Sequence, residues 1–188
     1  MKVFGLIIIL AALSSPACVL NTESQNPERP ALTPSAPTPN PTKPAIPAEI
    51  SVLTAQQLCD RISDIETMPT RDPTVTDPIY ESLIAKGVEA YPCLVDKIVE
   101  TKKMPDPRYS VPHRQHFAIG DAAVFILVRS LSQESDEREK LLLEMLPPGS
   151  QKEWETNGIY AYFNYVSEPK NRKALQNWWK NWLKENKK

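Results

Sequence analysis

Three residues in this 188-residue chain have the types and spacing for chemistry: His113, His116 and Asp121. The two histidines form an H-x-x-H in the segment MPDPRYSVPHRQH, residues 104–116, and the aspartate follows close behind. Imidazoles beside a carboxylate are metal-ligand chemistry, and a bound ion would make this a metal-dependent or hydrolytic enzyme. A complete site needs a third or fourth ligand at compatible spacing, and beyond Asp121 the nearest is Asp106. No H-E-x-x-H and no close cysteine pair completes the set. The plainer expectation is therefore two loop histidines, with Asp121 capping the helix that follows and Arg129 too far along that helix to pair with it. On that expectation the chain carries no metal and no cofactor.

Nucleophilic chemistry has less support. No G-x-S-x-G occurs, so the strand-turn-helix elbow that exposes a serine is missing. Cys59 and Cys93 fall on predicted helical core faces. Carboxylate pairs such as Asp60/Asp64 and Glu137/Glu139 lie on predicted solvated helix faces. Five glycines in the whole chain disfavour a glycine-rich phosphate loop. The expectation is a protein that is not an enzyme.

The N-terminus supplies an address. Lys2 precedes an apolar run from Val3 to Leu13, too short to span a bilayer, which takes about 20 residues. Small residues then lead to Cys18. Charge, short apolar segment and small residues make a signal peptide over residues 1–17, set aside for the fold. The stretch Ser14–Cys18 resembles the cleavage box of bacterial lipoproteins. That resemblance implies that Cys18 becomes the first mature residue, carries lipid and anchors the chain facing the periplasm. Ordinary cleavage, with Ser15 and Ala17 as the small pair, would instead release a soluble secreted protein.

Residues 18–48 read as a tether. Eight prolines fall between Pro27 and Pro47. Proline removes backbone donors and fixes φ, so this stretch suits an extended, solvated spacer of roughly 3.1 Å per residue. A Pro-rich ligand for a groove-bearing partner is the rival reading. Cys59 and Cys93 remain after Cys18. Exported cysteines usually bridge, which predicts a Cys59–Cys93 disulfide. Two separate buried thiols are the alternative.

Residues 49–188 are long enough for one domain with a real core. Apolar periodicity predicts about seven helices and an all-α fold. Thr54 and Gln57 make a capping box ahead of a helix over about 55–67. Asp77, Pro78 and Gly87 bracket a second helix with core residues Ile79, Leu83 and Ile84. A third is expected from Pro92 to Lys102, burying Leu94, Val95, Ile98 and Val99. The run AAVFILV fits a buried strand or helix by periodicity. Its length and its helical neighbours favour a central buried helix. Ser135 starts the next, with Leu141, Leu142, Met145 and Leu146 inward. A capping box at Ser150 and Glu153, a stripe of Ile159, Tyr162, Phe163 and Val166, and a helix opened by Pro169 complete the domain.

GVEAYPCLVDKI followed by IGDAAVFILVRSL, within residues 77–131, resembles the paired helices of a HEAT-type repeat. The resemblance implies a HEAT-like helical domain that binds partners rather than catalyses.

Charge is unevenly placed. Residues 51–168 hold 12 Lys and Arg against 19 Asp and Glu, whereas residues 169–188 hold seven against one. Leu175, Trp178, Trp179, Trp182 and Leu183 follow helical spacing in that basic tail, flanked by Lys170, Arg172, Lys173, Lys180 and Lys184. Such a helix either touches anionic lipid or a partner or seals the end of the core. Tyr160 and Tyr165 fall off their helix stripe and are candidate partner anchors. An exported chain with an acidic body disfavours nucleic acid. The expected partner is another envelope protein, with a periplasmic immunity protein against a basic toxin as one variant.

Overall fold

A computed structural model describes residues 45–68, 77–105 and 117–186. Cys18, the leader, the Pro-rich segment up to residue 44, His113 and His116 lie outside the described residues.

The described residues are all-α. Nine helices are present among them: α1 (Ala48–Ser51), α2 (Ala55–Asp60), α3 (Pro78–Lys86), α4 (Tyr91–Lys97), α5 (Ile119–Leu131), α6 (Ser135–Glu144), α7 (Pro148–Asn157), α8 (Tyr160–Val166) and α9 (Pro169–Glu185). The folded body starts before residue 49, because Ile46 packs on the core and Ala48 opens α1.

Local signals explain most helix starts. Thr54 Oγ1 accepts from Gln57 N at 3.2 Å, and Gln57 Oε1 accepts from Thr54 N at 2.9 Å. The two bonds satisfy donors that a helix start leaves orphaned. Asp77 Oδ1 accepts from Ile79 N and Tyr80 N at 2.8 and 3.2 Å. At the other end of α3, Gly87 takes φ 53°, a left-handed value that suits glycine. The Ser150–Glu153 box does not form, because α7 already begins at Pro148 and Ser150 lies inside its first turn. Proline at the first helical position gives up a donor that is orphaned anyway.

Two predicted helices are shorter than their apolar spacing suggests. The chain leaves α2 at Asp60 and makes a 3-10 turn over Ile62–Asp64. Leu58, Ile62 and Ile65 are all fully buried. Helix α4 ends at Lys97, and Val99 is exposed. Residues 100–104 then run beside the start of α5. Met104 N donates to Phe117 O at 2.8 Å, Ile119 N to Lys102 O at 2.9 Å and Gly120 N to Glu100 O at 3.0 Å. A longer α4 would take those acceptors away from the orphan N–H groups of α5.

Helix α5 is the central element. Ala122, Ala123, Val124, Ile126, Leu127 and Val128 are buried on all sides, as an apolar helix requires. It contacts α3, α4 and α6. Phe125 of α5 meets Tyr162 of α8 edge-on, with ring centroids 5.6 Å apart. Leu141, Leu142, Met145 and Leu146 close the core from α6 and the turn after it. A disulfide joins Cys59 of α2 to Cys93 of α4, with Cα atoms 6.1 Å apart.

Candidate functional site

The strongest concentration of polar chemistry is inside the protein, where α5, α8 and α9 meet. Asp121 is fully buried and Arg172 is 5% exposed. The guanidinium grips the carboxylate with both terminal nitrogens, Nη1 at 2.9 Å from Oδ1 and Nη2 at 3.0 Å from Oδ2. Tyr162 donates its hydroxyl to Oδ1 at 2.8 Å. Ala118 donates its backbone N–H to Oδ2 at 2.8 Å. A buried ion pair offsets its desolvation only when geometry is good and the remaining lone pairs are satisfied. Here both carboxylate oxygens take two donors each. Burial pushes the Tyr162 phenol well above its usual value of 10, the Asp121 charge adds to that, and Arg172 opposes it.

This geometry places Asp121 in the core rather than at an open site. It does cap α5 through Ala118, as expected. Its ionic partner comes from α9, 51 positions on, and not from Arg129, whose guanidinium donates to Gln133 O at 3.2 Å. A metal ion at Asp121 would have to displace arginine or tyrosine. Among the described residues no group of three or more His, Cys, Asp or Glu is placed to hold a metal.

Helix α9 is docked by polar contacts that its apolar spacing does not disclose. Its buried residues are Arg172, Leu175, Gln176 and Trp179. Arg172 therefore belongs to the core face, not to the solvated lysine face where the sequence reading put it. The end of α4 leaves carbonyls incompletely satisfied by the helix, and side chains of α9 donate to them. Gln176 Nε2 donates to Val95 O at 3.0 Å and Asp96 O at 3.2 Å. Arg172 Nη1 reaches Ile98 O at 3.4 Å. Lys180 pairs with Asp96 at 3.0 Å. Gly120 lets the two backbones meet, because a Cβ there would lie 2.2 Å from Ile98 O and 2.9 Å from Arg172 Nη1.

The surface candidates divide. Trp179 is fully buried, which removes it from any lipid or partner surface. Trp178 and Trp182 are half-buried and stack with ring centroids 6.4 Å apart. Lys184 is exposed. Tyr160 is 44% exposed. Tyr165 is half-buried, and burial raises its phenol above the usual value. Among the described residues no helix is long and apolar enough to cross a membrane.

Sequence reasoning missed Arg172 and Gln176 as core groups, though a signal was present. Residues 172, 175, 176 and 179 repeat at i, i+3, i+4 and i+7, which is one helix face. Reading only the apolar members turned the stripe by part of a turn. No protein-family model matches the chain, and comparison with curated proteins and with solved structures finds no match.

Proposed function

We propose that this protein is a lipid-anchored envelope lipoprotein whose helical domain faces the periplasm and binds another envelope protein without catalysis. The observation that carries the reading is the Cys59–Cys93 bridge. Of three cysteines in the chain, it leaves only Cys18, which stands where a signal peptide would end. Structural disulfides belong to oxidising compartments, in keeping with export. The direct packing of α4 on α5 fits the HEAT-like pairing, and such a scaffold presents helix faces to partners. The acidic body suits a basic partner, a periplasmic toxin among them, through electrostatic steering.

Intact mass of the mature protein from cells is the test. A chain that begins at Cys18 and carries acyl mass supports the anchor. A chain cut elsewhere and free of lipid overturns it. Crosslinking in intact envelopes then tests the binding role, and recovery of the domain with no crosslinked protein overturns that half alone.

A further inference from the structure

Helices α6 and α7 border a shallow, open groove of about 380 Å³ lined by Lys140, Leu143, Glu144, Gln151, Trp154 and Glu155. Its floor is apolar, from Leu143 and the half-buried indole of Trp154. The indole is fixed, because Trp154 Nε1 donates to Glu139 Oε1 at 3.1 Å. The turn beneath is fixed too, with Gln151 Nε2 donating to Leu143 O and Leu146 O at 3.0 and 2.9 Å. The rim is anionic. Glu155 is exposed and has no partner among the described residues, and Glu144 meets Lys140 only at 3.9 Å. An indole beside the free Glu155 and the loosely paired Glu144 suits an alkylammonium group, whose methylenes lie on the ring while its charge meets the rim.

The chain itself carries the complementary surface. Residues 134–157 hold seven acidic and three basic side chains, and residues 169–188 hold one acidic and seven basic. Part of that basic surplus is neutralised inside the molecule, Arg172 by Asp121 and Lys180 by Asp96. Lys184 is exposed, has no partner among the described residues, and is followed by Lys187 and Lys188. The first turn of α9 is held to α8 by Asn171 Nδ2, which donates to Tyr165 O at 2.8 Å. From there Lys184 stands roughly 20 Å farther along the helix at 1.5 Å per residue; its neighbours Trp182 and Leu183 pack on the core, and Lys184 itself faces outward at the end of the docked helix.

We infer that the α6–α7 groove receives the last turn of α9 from a second copy, with Lys184 lying over Trp154 between Glu144 and Glu155. The two surfaces differ, so the contact is heterologous and runs head to tail. It does not depend on the anchor proposed above, and its failure would leave that reading untouched.

Complementation between two variants tests it. Sedimentation of the purified chain in a Cys18→Ser background, which excludes an intermolecular disulfide, should show average mass rising with concentration at low salt. At 1 M salt, where the Debye length is about 3 Å, it should return to monomer. Glu144→Lys with Glu155→Lys in one chain, and Lys184→Glu in another, should each weaken self-association by at least about tenfold, the effect of 1.4 kcal/mol. Both changes are on exposed side chains, and unchanged circular dichroism confirms folding. Mixed together, the two inert variants should associate, because one retains its tail and the other its groove; the reversed groove and the reversed tail are also complementary in charge, so 1:1 pairs and longer alternating chains both count as complementation. A parent chain that stays monomeric overturns the inference. So does a variant that associates like the parent, or a mixture that stays monomeric.

Discussion

Arg172 and Asp121 face each other across 51 positions of sequence and form a two-pronged ion pair sealed from water, with contacts of 2.9 and 3.0 Å. The pair ties the C-terminal helix to the first turn of the central one. Its worth lies in what its loss leaves behind. Arg172→Met strands a fully buried carboxylate and should cost about 3–5 kcal/mol. The double variant Asp121→Leu with Arg172→Met removes both charges and should recover a large part of that loss. Urea denaturation of the two single variants and the double closes the cycle. A double variant whose loss equals the sum of the singles would mean that the pair acts as two independent packing groups.

Tyr162 gives the same centre a pH dependence. Its phenol titrates well above 10 in the folded chain because of burial and the neighbouring Asp121 charge, whereas the unfolded phenol titrates near 10. Above that pH the unfolded state releases a proton that the folded state keeps. The contribution is therefore fully present below pH 10 and falls as pH rises beyond it, by about 1.4 kcal/mol per pH unit for one group. Stability measured from pH 8 to 11 should turn down above 10, and Tyr162→Phe should flatten that turn. An unchanged slope in the variant would assign the effect to other groups.

How much of this was legible in the sequence can be seen by residue. Helix existence, the buried α5 and the Cys59–Cys93 pairing follow from periodicity, caps and the cysteine count, all local or compositional signals. Leu58, Ile62 and Ile65 were recognisable as core although the element carrying them is a helix followed by a 3-10 turn. What stayed hidden depends on distant segments. The end of α4 at Lys97 follows from residues 117–120 needing backbone acceptors, and the burial of Arg172 follows from Asp121 awaiting a cation. Neither partner is within reach of a sequence window.

Gly120 should be intolerant of change and Gly149 tolerant. A Cβ on Gly120 would press into the Ile98 carbonyl at 2.2 Å, whereas at Gly149 nothing among the described residues lies within 4 Å. Gly120→Ala forces α5 off α4 and should cost about 1–3 kcal/mol, in the range of overpacked cores. Gly149→Ala sits in the first turn of α7 and should be neutral or stabilise by up to about 1 kcal/mol through helix propensity. Melting temperatures of the two variants check the contrast, and equal shifts would refute the close approach.

The three tryptophans of α9 should separate in the same way. Trp179 is fully buried against the core, and its indole N–H has no hydrogen-bond partner among the described residues. Truncation there opens a cavity with little polar loss, so Trp179→Ala should cost about 3–5 kcal/mol, as large aromatic deletions do. Trp178 and Trp182 are half-buried, and each ring meets the other and Trp179. Removing either ring forfeits an aromatic pair worth about 0.5–1.5 kcal/mol and part of its apolar burial. Each single alanine variant should therefore cost less than Trp179→Ala. Anionic phosphatidylglycerol vesicles supply the complementary readout. If α9 works as a core seal, adding vesicles leaves the fluorescence maximum of the folded protein in place. A blue shift lost in a Trp182→Ala variant of undiminished stability would instead make the outer edge of α9 a lipid contact, with Trp179 as its buried root.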